Sequence, residues 1–191
     1  NIDDIAKQGN TLCTEAQDVL SLGVLKLPEW NTPALRMKMG RTIENFPPPV
    51  GIIHACPGMD WRHACMPEAE FMYWASQIPA NGGSYWTTFT GFADTIPDKR
   101  MLKTIGKLNR MTQKVEEPMT GAIGDCQVML LSDGGIFVQG WAEALMCAHI
   151  DFDMLAHYQL KLERIRKYPV VIVPKHFAIT VENSQIFQDY V

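Results

Sequence analysis

The first residue that could do chemistry is Glu15. It ends the short run Thr11-Leu12-Cys13-Thr14 and is followed by a polar stretch. A carboxylate at the C-terminal end of a strand sits on the catalytic rim when the strand belongs to a β/α barrel. Retaining glycoside hydrolysis needs one such carboxylate as nucleophile and a second carboxyl about 5 Å away as acid/base. A plainer reading competes with this one. Thr14 could cap a helix and Glu15 could lie in its first turn, where a negative charge offsets the helix dipole.

Three further groups could bind rather than react. Trp61-Arg62-His63 offers an aromatic plate, a fixed cation and a titratable ring in consecutive positions, a set that suits a polar ligand. The alternative is a loop packed by Trp61 with Arg62 and His63 in water. Tyr85 and Trp86 lie in Ser84-Tyr85-Trp86-Thr87-Thr88-Phe89-Thr90-Gly91, where hydroxyls surround the aromatics as in a sugar-binding wall, and ordinary core packing explains the aromatics as well. Neighbouring strand residues face opposite sides, so only one of the two can line a given cavity. Ser132-Asp133-Gly134-Gly135 follows an apolar run and precedes a helical one, the place of a phosphate loop. It lacks the glycine-rich fingerprints, and a plain turn explains it as well. His54 and His149 read as structural histidines. No set of ligands has metal-site spacing, and no cofactor is expected.

The elements that would position these residues follow from periodicity. Glu68 to Ala80 reads as an amphipathic helix with Phe71, Trp74, Ala75 and Ile78 on its buried face. Ala80-Asn81-Gly82-Gly83 turns into the aromatic strand 84–91. Val50 to Ala55 reads as a strand, stopped by Pro57-Gly58. Residues 20–49, with Pro47-Pro48-Pro49, read as loop and irregular structure. Pro97 suits the first turn of a helix carrying Met101, Ile105, Leu108, Met111 and Val115 on one face and ending at Pro118. Residues 119–124 form a small-residue connector. Beyond it come a buried strand over 126–131, a helix over 140–149 with Trp141, Leu145 and Ala148 inward, and a strand over 152–155. A charged helix over 159–167, a β-branched strand at 170–173 and a helix over 181–191 complete the series. In this second stretch, continuous apolar strands alternating with helices imply a parallel sheet covered on both faces, the start of a doubly wound α/β domain.

Composition narrows the class. The chain has 191 residues, 47% of them hydrophobic and 20% charged, which is the balance of a globular protein with a sizeable core. A net charge of −4 offers no electrostatic case for nucleic acid, and no apolar run reaches a membrane span. The five cysteines are scattered without short pairings, so mostly buried free thiols and no disulfide framework are expected. The opening Asn1-Ile2-Asp3-Asp4-Ile5 and the closing helix without a stop signal read as the interior of a longer protein.

Taken in order, these pieces resemble the junction region of barrel-type glycoside hydrolases related to the β-galactosidases that carry a trimerisation domain, including the hypothetical glycosyl hydrolases fused to that domain. Leu12-Cys13-Thr14-Glu15-Ala16 resembles a seventh barrel strand with its terminal Glu. Glu70 to Gly83 resembles the helix leading to the eighth strand, Ser84 to Gly91 that strand, and Asp98-Lys99-Arg100 onward the last barrel helix. His149-Ile150-Asp151-Phe152-Asp153 and Tyr168-Pro169-Val170-Val171-Ile172-Val173-Pro174 resemble the start of the trimerisation domain, whose fold is like class I glutamine amidotransferases. The segment from Leu20 to Met66 departs from the better-known β-galactosidases, being long and holding an extra strand.

The resemblance implies a barrel end over 1–118, a linker over 119–124 and the first half of a flavodoxin-like domain over 125–191. It implies Glu15 as the nucleophile of a retaining glycosidase, an acid/base from an earlier strand, and a sugar site bordered by Trp86 and the Trp61-Arg62-His63 loop. It also implies a carbohydrate substrate and homo-oligomers, possibly trimers. Two other functions fit the residues: a non-catalytic sugar-binding or assembly protein, and a nucleotide- or phosphate-binding module centred on Ser132 to Gly135.

Overall fold

A computed structural model describes residues 2–17, 30–91, 94–96, 98–175, 177 and 179–191. The chain divides into two compact units, Asn1–Ala122 and Ile123–Val191, within the small-residue connector. Each has its own three-stranded parallel sheet, so the protein is of the α/β class.

The first unit starts with a short helix α1 (Ile2–Ala6) and then runs β1 (Cys13–Glu15), α2 (Thr32–Gly40), β2 (Val50–His54), α3 (Glu68–Ala80), β3 (Ser84–Thr88) and α4 (Arg100–Met119). Its strands lie in sequential order β1-β2-β3. Each is followed by a helix, and α3 packs between α2 and α4 over the sheet. The four apolar residues that set the helical period of α3 are its buried ones: Phe71, Trp74, Ala75 and Ile78. They join Met37, Ile53, Met101 and Leu108 in one core. Gly51 lets this core close. A Cβ there would stand 2.6 Å from Ile78 Cδ1 and 3.2 Å from Ala16 Cβ.

Several expectations change in this unit. The strand at Val50 is not an insertion beside a β1–β3 pair; it is the middle strand and bonds to both. The supposed irregular stretch 20–49 contains α2, with Pro33 in its first turn, where a missing N–H costs nothing. Only Pro33, Ala34, Met37 and Gly40 are buried there, too few large side chains to give a helical signal. Residues 18–29 and Pro97 lie outside the described residues. The apolar stripe of α4 is buried only in its first half: Met101 and Leu108 are inside, while Met111 and Val115 are exposed. The helix also runs one residue past Pro118 before Thr120 turns extended.

The second unit runs β4 (Val128–Ser132), α5 (Ile136–Cys147), β5 (Phe152–Ala156), α6 (Leu162–Ile165), β6 (Val170–Ile172) and α7 (Val181–Tyr190). Its strand order is β5-β4-β6, so the chain changes direction at β4. Every residue of β4 is buried, as expected for a central strand covered on both faces. Met129 and Leu131 meet Leu160, Ile165, Tyr168 and Phe177, with Ile186 and Phe187 of α7 packed against them. Two helices differ from expectation. α5 starts four residues before Gly140 and buries Val138, Ala142 and Leu145, leaving Trp141 exposed. The charged helix expected over 159–167 is a 3-10 turn at His157–Gln159 followed by the single turn α6. The backbone turns extended at Leu160, whose side chain is buried. The cysteines, expected to be mostly buried, differ too: only Cys56 is buried, while Cys13 and Cys147 are exposed.

Candidate functional site

The parallel register decides what shares a face of the first sheet. Glu15 lies opposite Ile52, and Ile52 opposite Trp86; His54 lies opposite Thr88. Alternation therefore puts Glu15, Ile52, His54, Trp86 and Thr88 on one face. Gly51, Ile53 and Tyr85 fall on the other, which the helices cover. Glu15, His54 and Thr88 are the last residues of their three strands, so their side chains gather at the C-terminal edge of the sheet.

They are in contact there. His54 Nε2 is 2.7 Å from Glu15 Oε2, and His54 Nδ1 is 2.8 Å from Thr88 Oγ1. The carboxylate accepts only, so Nε2 carries a hydrogen and donates it to Glu15. In the neutral ring Nδ1 then accepts from the Thr88 hydroxyl. Behind this row lies Gln17, fully buried, whose Oε1 accepts the backbone N–H of His54 at 2.8 Å. The backbone closes the same edge: Ala16 N–H donates to Ile52 and Ala55 N–H donates to Thr88.

Exposure rises from His54 to Glu15. The His54 side chain is 13% exposed and that of Glu15 42%. Hydroxyl, imidazole and carboxylate in this order also form the relay of a hydroxyl nucleophile, but such a relay needs its carboxylate buried as an orienting group. Here the carboxylate is the open end. The arrangement suits a carboxylate that meets ligand, held from behind by an imidazole.

The binding residues expected from sequence fall into different places. Trp86 is 56% exposed on the Glu15 face. Tyr85 does not line this site: its hydroxyl donates to Asn109 Oδ1 at 2.7 Å and is bonded to Thr112 Oγ1 at 2.9 Å, both on α4. Strand alternation requires this once Trp86 faces the other way. Trp61 ends a 3-10 turn over Met59–Trp61, and Trp61, Arg62 and His63 are all exposed. Their loop leaves β2 directly after His54 and returns through the bond from Met66 N–H to Ala55 O, 2.8 Å. It thus rises from the same strand end as His54. Burial pushes the Cys56 thiol up, an effect offset in part by backbone hydrogen bonding and, less, by the charge of Arg62.

Asp98 supports the loop's return. Its carboxylate accepts the Cys65 N–H at 3.1 Å, the Arg100 N–H at 3.1 Å and a forked pair from the Arg100 guanidinium. The guanidinium holds its carboxyl well below the usual carboxylate range.

In the second unit, Ser132-Asp133-Gly134-Gly135 lies at the end of β4, where the strand order reverses. Gly134 has φ +82°, a conformation for which glycine is suited. Asp133 Oδ1 already accepts the Gly135 N–H at 2.8 Å. A carboxylate thus occupies one donor that a phosphate would use and adds a repelling charge. Among the described residues no group of three His, Cys, Asp or Glu side chains could hold a metal ion, and no helix is long and apolar enough to cross a membrane. The chain matches no protein-family model, no curated protein and no solved structure.

His54 is the member that sequence reasoning passed over. The strand expected over Val50 to Ala55 places it one residue short of the end, and only the structure ends β2 at His54. Nothing in the sequence showed that this strand and that of Glu15 are neighbours.

Proposed function

We propose that the first unit carries the nucleophile side of a retaining glycoside hydrolase site. The observation that supports this reading is the Glu15 carboxylate, half-open to solvent at the C-terminal edge of a parallel sheet and bonded from behind by His54. Trp86, exposed on the same face, is suited to stack on a sugar ring. The sequential βαβα order with helices α2 to α4 in one row is the local pattern of a β/α barrel, whose reactive rim is this edge.

In the proposed reaction a carboxylate oxygen of Glu15 attacks the anomeric carbon. The bond from that carbon to the leaving oxygen breaks, and a second carboxyl protonates the leaving oxygen. Water, deprotonated by that same second group, then attacks the anomeric carbon and releases Glu15 as carboxylate. The acid/base group is not identified among the described residues. For the second unit we propose an assembly role, in a flavodoxin-like domain whose first strands are β5-β4-β6.

The test is to incubate the full-length protein with a panel of 2-deoxy-2-fluoro glycosyl fluorides and map the peptides by mass. A fluoroglycosyl group on Glu15, lost in Glu15→Gln, is expected. Aryl glycoside turnover that is unchanged in Glu15→Gln would sink the reading.

A further inference from the structure

We infer that His54 is a positioning residue that reserves one oxygen of Glu15 for attack, with Thr88 fixing the imidazole and Gln17 fixing the backbone that carries it. This rests on the glycosidase reading of Glu15. The argument begins with hydrogen-bond capacity. Oε2 of Glu15 accepts from His54 Nε2 at 2.7 Å, which leaves Oε1 as the oxygen open to substrate. His54 is held on both sides, its ring by β3 and its backbone by the residues that follow β1. Thr88 Oγ1 on β3 meets Nδ1 at 2.8 Å, and Gln17 beyond β1 holds the backbone N–H of His54 at 2.8 Å. With its ring 13% exposed and both nitrogens bonded, His54 has one orientation and, when neutral, one tautomer.

The same bond changes strength during the reaction. In the free protein it is charge-assisted. When Oε1 bonds to the anomeric carbon, Oε2 becomes a neutral ester oxygen and the bond weakens. In the second step the carbon–Oε1 bond breaks, the electron pair returns to the carboxylate, and the bond to Nε2–H strengthens again. His54 therefore favours departure of Glu15 more than its attack. Its removal is expected to slow release of the trapped sugar more than formation of the trapped intermediate. Hydrogen bonds to charged groups exceed neutral ones by roughly 1 kcal/mol, which corresponds to about a five- to tenfold slower release.

The experiment uses the fluoroglycosyl-labelled full-length protein and follows recovery of activity after excess reagent is removed. His54→Leu is expected to recover about five- to tenfold more slowly. His54→Gln, whose amide can place a donor near the Nε2 position, is expected within about threefold of the parent. Thr88→Val is expected to fall between them, and Thr88→Ser to match the parent. Should His54→Leu fail to fold, His54→Gln and the Thr88 pair carry the same comparison. Nitrogen NMR of the unlabelled protein adds an independent reading: the Nε2–H tautomer is expected, and a Nδ1–H tautomer overturns the inference. Label on Glu15 with equal recovery in all variants overturns this inference and leaves the glycosidase reading standing. No label on Glu15 with any reagent overturns both.

Discussion

Gly51→Ala tests how the first unit closes its core beneath the candidate site. The added Cβ would lie 2.6 Å from Ile78 Cδ1, 3.0 Å from Ile78 Cγ1 and 3.2 Å from Ala16 Cβ. Carbon atoms rest at about 3.5–4.0 Å, so Ile78 must retreat by about 1 Å or β2 must move away from α3. Ile78 is fully buried among Met37, Phe71, Trp74 and Ala75, and has little room to retreat. Overpacking of this kind costs about 1–3 kcal/mol. Urea unfolding is expected to show a lower midpoint with an unchanged slope. Ile78→Val removes the Cδ1 atom and alone costs about 0.5–1.5 kcal/mol. In the double variant the two losses are expected to be sub-additive by about 1 kcal/mol or more, because the smaller residue makes space for the larger one. Strict additivity, or a Gly51→Ala midpoint equal to the parent's, would refute the packing argument. The variant also speaks to the site, since Gly51 is three residues before His54 on the same strand.

Tyr85→Phe is expected to cost about 1 kcal/mol of stability through the lost bonds to Asn109 and Thr112 while sugar affinity stays unchanged; Trp86→Ala is expected to show the opposite, a raised KM with stability kept. Asp98 stabilises the fold above its unfolded pKa, about pH 4, because Arg100 depresses its folded value, and that contribution fades as pH falls below 4. Asp98→Asn should therefore lower the urea midpoint at pH 6, with the gap to the parent closing towards pH 2. Iodoacetamide at pH 8 is expected to modify Cys13 and Cys147, which are exposed, well before Cys56, whose thiol is buried and raised; peptide mapping against time gives the order.

Local regularities carried much of the fold into the sequence. The period of Phe71, Trp74, Ala75 and Ile78 specified α3 and its buried face, and the β-branched runs marked β2 and β6. Elements whose burial rests on few or small residues were not legible. α2 buries only one large side chain, Met37, and α5 buries Leu145 as expected but leaves Trp141 and Ala148 exposed. Trp141 misled because hydrophobicity alone does not say which apolar face finds a partner.

The candidate site divides in the same way. The sequence by itself determined that Tyr85 and Trp86 must face opposite sides and that Trp61, Arg62 and His63 share a loop, while it left Glu15 open between a strand end and the first turn of a helix. These are properties of a chain with a two-residue strand period, and they need no knowledge of neighbours. Only the tertiary structure decided that β2 lies between β1 and β3, and with it that His54 stands between Glu15 and Thr88. It also decided that Trp86, and not Tyr85, shares the carboxylate's face. Strand order and register depend on contacts between residues about forty positions apart, and no local pattern records which distant edge a strand will join.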